Sequence, residues 1–244
     1  IDPDNIFFLH TRAELFLKRA EKTDNFLIRK QLVKRTKELC TNILQNFKNR
    51  SANLSPTYHT LLKTHILELS YYLSDVEEKD DLAKRIQNFE KIFNNAIQEY
   101  PNESFLLDAE AKFNELMSNF PAAIESLEKA FEINKSSPYL ATRLSNYYID
   151  KDLIKSKEIL EESLRINQYD KNLNFLYSKL LLKIEPENYI NHRHFLRNSF
   201  VKNDNRLEAQ FWYARCLYLL EEKEESKQFF NVTKNAPIDY RIKK

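Results

Sequence analysis

Residues Ala122–Asn134 read AAIESLEKAFEIN, and one repeat later Lys155–Asn167 read KSKEILEESLRIN. Superimposed, Glu125, Leu127, Glu128, Ile133 and Asn134 meet identical residues at Glu158, Leu160, Glu161, Ile166 and Asn167, an offset of 33 residues. A period of this size marks an array of stacked supersecondary units. Within each copy a small residue is followed four positions later by a large apolar one, and three after that by another small one. Positions i, i+4 and i+7 share one face of a helix, so the pattern describes a narrow apolar seam against which a second helix can lie closely.

The seam can be followed along the chain. Its second small position reads Ala96, Ala130, Ser163, Ser199 and Thr233, at steps of 34, 33, 36 and 34. The apolar position three residues earlier reads Phe93, Leu127, Leu160, Leu196 and Phe230. The first small position reads Phe89, Ala123, Ser156, His192 and Ser226, so Phe89 and His192 break the rule.

This ladder resembles the tetratricopeptide repeat, a unit of about 34 residues with small, aromatic or leucine, and small residues in its second helix and often a proline at its end. Ala96–Pro101, AIQEYP, matches that ending, and Ala214, Ser226, Phe230 and Thr233 fit the last unit without a gap. The first-helix signature is weaker. Tyr147 meets the family's tyrosine position, the family's glycine is absent, and the tryptophan position holds Leu140, Leu173 and Gln210. The resemblance covers residues 80–237. It implies an all-α, right-handed α-solenoid of about six antiparallel helical hairpins, with 1–79 forming degenerate hairpins and 238–244 a polar tail.

Composition agrees with an all-helical chain. The sequence of 244 residues has no glycine, where ordinary usage would supply about 17. Positive-φ turns must therefore be carried by other residues, asparagine being the expected substitute. The chain is 42% hydrophobic and 30% charged, ordinary for a globular protein. No apolar run reaches the length of a membrane-spanning helix, and no charged-then-apolar leader opens the sequence. Cys40 and Cys216 fall within apolar helical patterns and are expected to be reduced, buried thiols, which points to the cytoplasm. A chain that begins at Ile1 reads as an excised domain or a processed product.

Local signals place the helices. Asp4 is expected to cap a first helix to Lys22, and Asp24 a second to Asn49. Ser55 followed by Pro56 starts the next, the charged stretch Asp75–Asp81 turns the chain, and Leu82–Glu99 follows. The remaining helices are expected over 103–118, 121–134, 137–149, 153–167, 170–184, 186–203, 206–220 and 222–235. Prolines 101, 121, 138, 186 and 237 all fall at helix ends or first turns, where a missing N–H costs little. The segment 170–184 is apolar on more than one face and is expected to be covered on both sides.

The chemistry of an enzyme is hard to find in this sequence. Loops that cradle phosphate and the serine-hydrolase elbow both require glycine. The five histidines, at 10, 59, 65, 192 and 194, lack the spacing of three or four that would place two ligands on one helix face. They are expected to pack or lie on the surface, and no cofactor or metal is expected.

The repeat family binds partners along the concave surface lined by the first helix of each pair. The resemblance therefore implies a non-catalytic protein-interaction scaffold that takes a protein or peptide partner. Its groove positions transfer to Asp108, Lys112 and Glu115, then Ala141, Ser145 and Tyr148, then Asn174, Ser178 and Leu181, and last Phe211, Arg215 and Tyr218. Lys112, Tyr148, Phe211, Arg215 and Tyr218 are the candidate contact residues. The lysine and asparagine set with which chaperone-binding members grip a terminal carboxylate is not reproduced. Two alternatives stand beside this. One is a sensor or oligomerisation segment of a larger bacterial signalling or defence protein. The other is a nucleic-acid contact through the basic second helix, with Arg29, Lys30, Lys34, Arg35 and Lys37, since residues 1–50 hold 11 Lys and Arg against 6 Asp and Glu. The whole chain, at a net charge of only +2, argues against a dedicated nucleic-acid binder.

Overall fold

In the computed structural model, residues 5–48, 52–74, 81–200 and 206–233 are described. Every regular element among them is helical: α1 (Ile6–Lys22), α2 (Phe26–Phe47), α3 (Ser55–Ser74), α4 (Leu82–Glu99), α5 (Ser104–Leu116), α6 (Phe120–Ile133), α7 (Pro138–Tyr148), α8 (Leu153–Ile166), α9 (Lys171–Ile184), α10 (Tyr189–Asn198), α11 (Leu207–Leu219) and α12 (Lys223–Thr233). The all-α hairpin repeat read from the sequence is thus the fold. The chain divides into two compact units, 1–133 and 134–244. The boundary expected at residue 79, the caps at Asp4 and Pro237, and the tail 238–244 lie outside the described residues.

Within the first unit α1 packs on α2, α3 on α4 and α5 on α6, and α3 also touches α1, α2 and α5. Within the second, α7 packs on α8, α9 on α10 and α11 on α12, and α9 also touches α7 and α8. Within each unit, hairpins therefore pack on their neighbours in sequence, which is the packing of a solenoid. α9, the segment expected to be covered on both sides, buries Leu173, Asn174, Tyr177, Ser178, Leu180 and Leu181, an arc of about 160°.

The seam is where these contacts are made. Ala96, Ala123, Ala130, Ser156 and Ser163 have no exposed surface, and neither have Leu127 and Leu160 between them. The two residues that break the small-residue rule are buried in the same place. Phe89 lies with its ring 4.1 Å from that of Phe113 and nearly parallel to it, so here an aromatic stack replaces the close approach. His192 is fully buried, its ring lying by the backbone of Leu181 and Glu185.

Capping corrects three expected boundaries. Asn5 and not Asp4 caps α1, its Oδ1 accepting from the backbone N of Phe7 at 2.9 Å. Asn25 and not Asp24 caps α2, accepting from the N of Ile28 at 3.1 Å. α10 is shorter than the expected 186–203: Asn188 caps it by accepting from the N of Asn191 at 3.4 Å, leaving Pro186 in the turn before it. Elsewhere Ser137, Asp152 and Asp170 cap α7, α8 and α9 as their positions promised.

The turns of positive φ are the other correction. Asparagine carries neither of those found among the described residues; they belong to Ser118 (φ 58°) and Glu221 (φ 63°). After α5 the N of Asn119 donates to the O of Asn114 at 2.8 Å, and the N of Ser118 to the O of Glu115 at 2.9 Å. After α11 the N of Glu222 donates to the O of Leu217 at 2.9 Å, and the N of Glu221 to the O of Tyr218 at 3.1 Å. Both are six-to-one and five-to-two pairs, the bonding of a Schellman motif whose left-handed position is usually glycine.

Two stability predictions follow from the seam and the caps. Leu127→Ala and Leu160→Ala should each lower unfolding free energy by about 2 to 5 kcal/mol in urea titration, because each removes a fully buried side chain between helices. Glu221→Gly should instead raise it by roughly 1 kcal/mol, since it relieves the Cβ clash of a left-handed residue; a lower urea midpoint would refute that account of the turn.

Candidate functional site

The contacts along the seam establish which first-helix residues are equivalent. In the α7–α8 hairpin the Oγ atoms of Ser145 and Ser156 lie 2.7 Å apart. In the α11–α12 hairpin the Oγ of Ser226 donates to the O of Ala214 at 2.8 Å. Ser145 and Ala214 thus occupy the same place, and by spacing Ala111 and Ser178 are their counterparts in α5 and α9. Between seam residues the α5–α6 and α11–α12 hairpins run twelve positions, Ala111 to Ala123 and Ala214 to Ser226, and the α7–α8 hairpin eleven, Ser145 to Ser156; a left-handed residue, Ser118 or Glu221, follows α5 and α11.

This difference moves the transferred groove positions. One residue is about 100° of rotation around a helix. On α5 and α11 the transfer falls on the outer face, at Lys112, Arg215 and Tyr218. On α7 and α9 it falls on the seam, where Ala141, Ser145, Asn174 and Ser178 have no exposed surface and Leu181 has 2%. One residue further on, Asn146 and Lys179 are exposed to solvent.

The five candidate contact residues are distributed accordingly. Lys112 is half-buried and pairs with Asp108 on its own helix at 2.8 Å. Tyr148 is half-buried, and its hydroxyl accepts from the Nζ of Lys155 at 2.9 Å. Phe211 is buried and packs edge-on against Phe230 of α12, with ring centroids 5.8 Å apart, so it serves the hairpin's interior. Arg215 and Tyr218 remain at the surface, Tyr218 at 56% exposure and Arg215 with its guanidinium 5.3 Å from the ring of Trp212. The structure brings together only these last two, both on α11.

Three aromatic–cation pairs escaped the sequence reading. Arg143 lies 5.7 Å over Tyr139 on α7, and Lys179 lies 5.4 Å over Phe175 on α9. With Arg215 over Trp212 they place one such pair on each first helix of the second unit. An aromatic residue with a cation three or four positions later was the available signal.

The basic residues of α2 separate into two groups. Arg29 is held in the α1–α2 turn, donating to the O of Ala20 at 3.3 Å and to the O of Thr23, with its guanidinium 4.8 Å over the Tyr71 ring. Lys37 pairs with Glu68 of α3, which also accepts Arg85 of α4 at 2.7 Å. Burial lowers the pKa of Lys37 despite that carboxylate. Lys30, Lys34 and Arg35 stay exposed, Lys34 within 3.9 Å of Glu38.

The histidines pack or lie at the surface. His10 meets the hydroxyl of Thr60 at 3.2 Å, His59 lies 5.0 Å from the Phe105 ring, and His194 is exposed. His65 is buried beside the Glu68 hub, with Nδ1 3.9 Å from the carboxylate. Desolvation first, and then the charge of Lys37, push its pKa down to about 4. Among the described residues no group of three His, Cys, Asp or Glu is placed to hold a metal ion. Both cysteines are free and buried, and burial raises their thiol pKa values to about 12 for Cys40 and about 11 for Cys216.

No family model matches the chain, and no curated protein matches it in sequence. Its architecture has a counterpart among solved structures in PilF of Pseudomonas aeruginosa, a tetratricopeptide-repeat protein. The two superimpose with a TM-score of 0.61 over 96% of this chain and 97% of that one, at 13% identity. At that identity the likeness speaks for the fold. It supports a helical repeat of the tetratricopeptide type.

The buried hub predicts how stability depends on pH. His65 is neutral in the fold, with a pKa of about 4 against 6.5 when unfolded. Its contribution is therefore complete above about pH 6.5 and is lost as pH falls toward 4. Urea midpoints should drop across that window, and His65→Gln should flatten the drop; an unchanged slope would remove His65 from the account.

Proposed function

We propose that the protein is a non-catalytic scaffold that binds a partner protein or peptide on the first-helix face of its repeats. The observation that carries this is the surface of α11, where Arg215 over Trp212 and the exposed ring of Tyr218 adjoin. Arginine, tryptophan and tyrosine are the residues that most often anchor interfaces, because they combine large contact area with a polar or charged end. The helical-repeat fold supports the same reading by analogy, since stacked hairpins offer extended surfaces. The candidate contacts are Arg215 and Tyr218, joined by Lys112 and Tyr148 at the edges of their own hairpins.

Other features fit the same picture. Half-buried charged groups of the first unit hold helices together: Glu68 of α3 joins Lys37 of α2 and Arg85 of α4. No described helix is long and apolar enough to cross a membrane. The two free buried thiols suit a reducing compartment, and we place the scaffold in the cytoplasm.

A nucleic-acid contact through α2 is the weaker alternative, because two of its five basic residues, Arg29 and Lys37, are occupied in holding helices together. Salt separates the readings: phosphate binding weakens steeply with ionic strength, and an aromatic anchor does not. Arg215→Glu with Tyr218→Ala should abolish affinity capture of the partner while leaving the circular dichroism spectrum intact. Capture undiminished by these substitutions would remove α11 from the binding surface.

A further inference from the structure

The first helices of the second unit are unusual in charge. α7, α9 and α11 together carry five basic residues, Arg143, Lys171, Lys179, Lys183 and Arg215, against one carboxylate, Glu208. α8 and α12 are balanced, with three charges of each sign on α8 and two of each on α12. α10 is basic as well, but its Arg193 pairs with Glu222 before α12 and its Arg197 lies 5.6 Å over Phe200. By sequence the positive excess is larger on the first helices, four charges against two on the second helices, although Lys183 pairs with Asp150 at 2.5 Å; the first-helix side is the one that the function proposed above assigns to a partner.

The cations are presented in a particular way. Arg143, Lys179 and Arg215 each lie along an aromatic ring of the same helix, Tyr139, Phe175 and Trp212. Such a cation has its stem laid on the ring and its charged head held beside an apolar edge. Lys179 also reaches Glu208 at 3.2 Å, which ties α9 to α11. The result alternates positive charge with aromatic edge from helix to helix. Its complement alternates carboxylates with apolar side chains.

We infer that the α7, α9 and α11 face binds an acidic peptide segment whose carboxylates are interspersed with apolar residues. This rests on the protein-binding reading and names the chemistry of the partner. Packed helices lie about 8 to 10 Å apart and an extended chain advances about 3.3 Å per residue. α7 and α9 pack directly and the Lys179–Glu208 pair ties α9 to α11, so an extended segment can pass from one aromatic–cation pair to the next. A peptide fits better than a nucleic acid because Glu208 stands among the cations, where a continuous line of phosphates would meet it. The chain's net charge of +2 agrees.

Fluorescence anisotropy on the full chain tests this with three labelled probes: a peptide repeating Glu-Phe-Glu-Ser, the same peptide with Gln for every Glu, and a single-stranded oligothymidylate. The Glu peptide should bind at least about tenfold more tightly than the Gln peptide. Lys179→Glu with Arg215→Glu should weaken it by about tenfold or more at unchanged circular dichroism, and Lys179→Ala with Arg215→Ala should weaken it less. Lys34→Glu with Arg35→Glu on α2 should leave it alone. Equal binding of the two peptides would overturn the charge assignment while leaving a protein-binding face in place. Binding of neither peptide would overturn the inference, and capture of a partner that depends on Arg215 would show that the broader reading survives it. Displacement of the Glu peptide by oligothymidylate would assign the face to nucleic acid and would equally refute it.

Discussion

The constraint on which the structure depends is the close approach of two helices over small side chains. Ala123 against α5, Ser156 against Ser145 and Ser226 against Ala214 occur where a larger residue would hold the helices apart. Each contact is weak by itself, yet in the α5–α6 and α7–α8 hairpins it sets the distance at which Leu127 and Leu160 become fully buried. Serine adds something alanine does not. At Ser156 and Ser226 its hydroxyl bonds across the hairpin, so a polar group is satisfied inside the seam at those two positions.

Where the small residue is missing, the same position is filled differently. Phe89 turns a close approach into a ring stack on Phe113, which keeps the core continuous between α4 and α5. His192 meets the Tyr189 ring edge-on, with centroids 6.2 Å apart. Burial lowers its pKa and keeps the ring neutral. Charge is handled by a parallel rule in the first unit: Glu68 collects Lys37 and Arg85 from two neighbouring helices, binding three elements through one carboxylate.

The fold was legible because the seam residues recur at nearly constant spacing, and recurrence survives substitution at single sites such as Phe89 and His192. Helix starts were legible where one capping residue stood alone, as at Asp170, or where Pro138 marked the first turn after Ser137. They were not where Asp4 and Asn5, or Asp24 and Asn25, offered adjacent caps, because the choice between neighbours depends on backbone angles. The surface was harder to read. The hairpins in which a left-handed residue, Ser118 or Glu221, follows the first helix have one more position between seam residues than the α7–α8 hairpin, and neither serine nor glutamate announces a positive φ. A shift of one residue leaves the hairpin pairing intact but exchanges buried Ser145 for exposed Asn146 on the helix face. Phe211 was misleading for a related reason: spacing marks it as first-helix surface, while its neighbour Phe230 on α12 draws the ring inward.

The first hairpin shows what stacking by neighbours entails for the order in which such a chain comes apart. α1 and α2 lean on the rest of their unit through α3, and on their other sides Phe7 and Leu27 stand 79% and 70% exposed. Its amides have fewer layers above them than those of α3, which is enclosed by four other helices. Opening this pair sacrifices one interface, whereas opening α3 sacrifices several. Thermal breathing should thus begin at α1 and α2 and travel inward, so that amide exchange peels the unit from its edge in the manner of a zip.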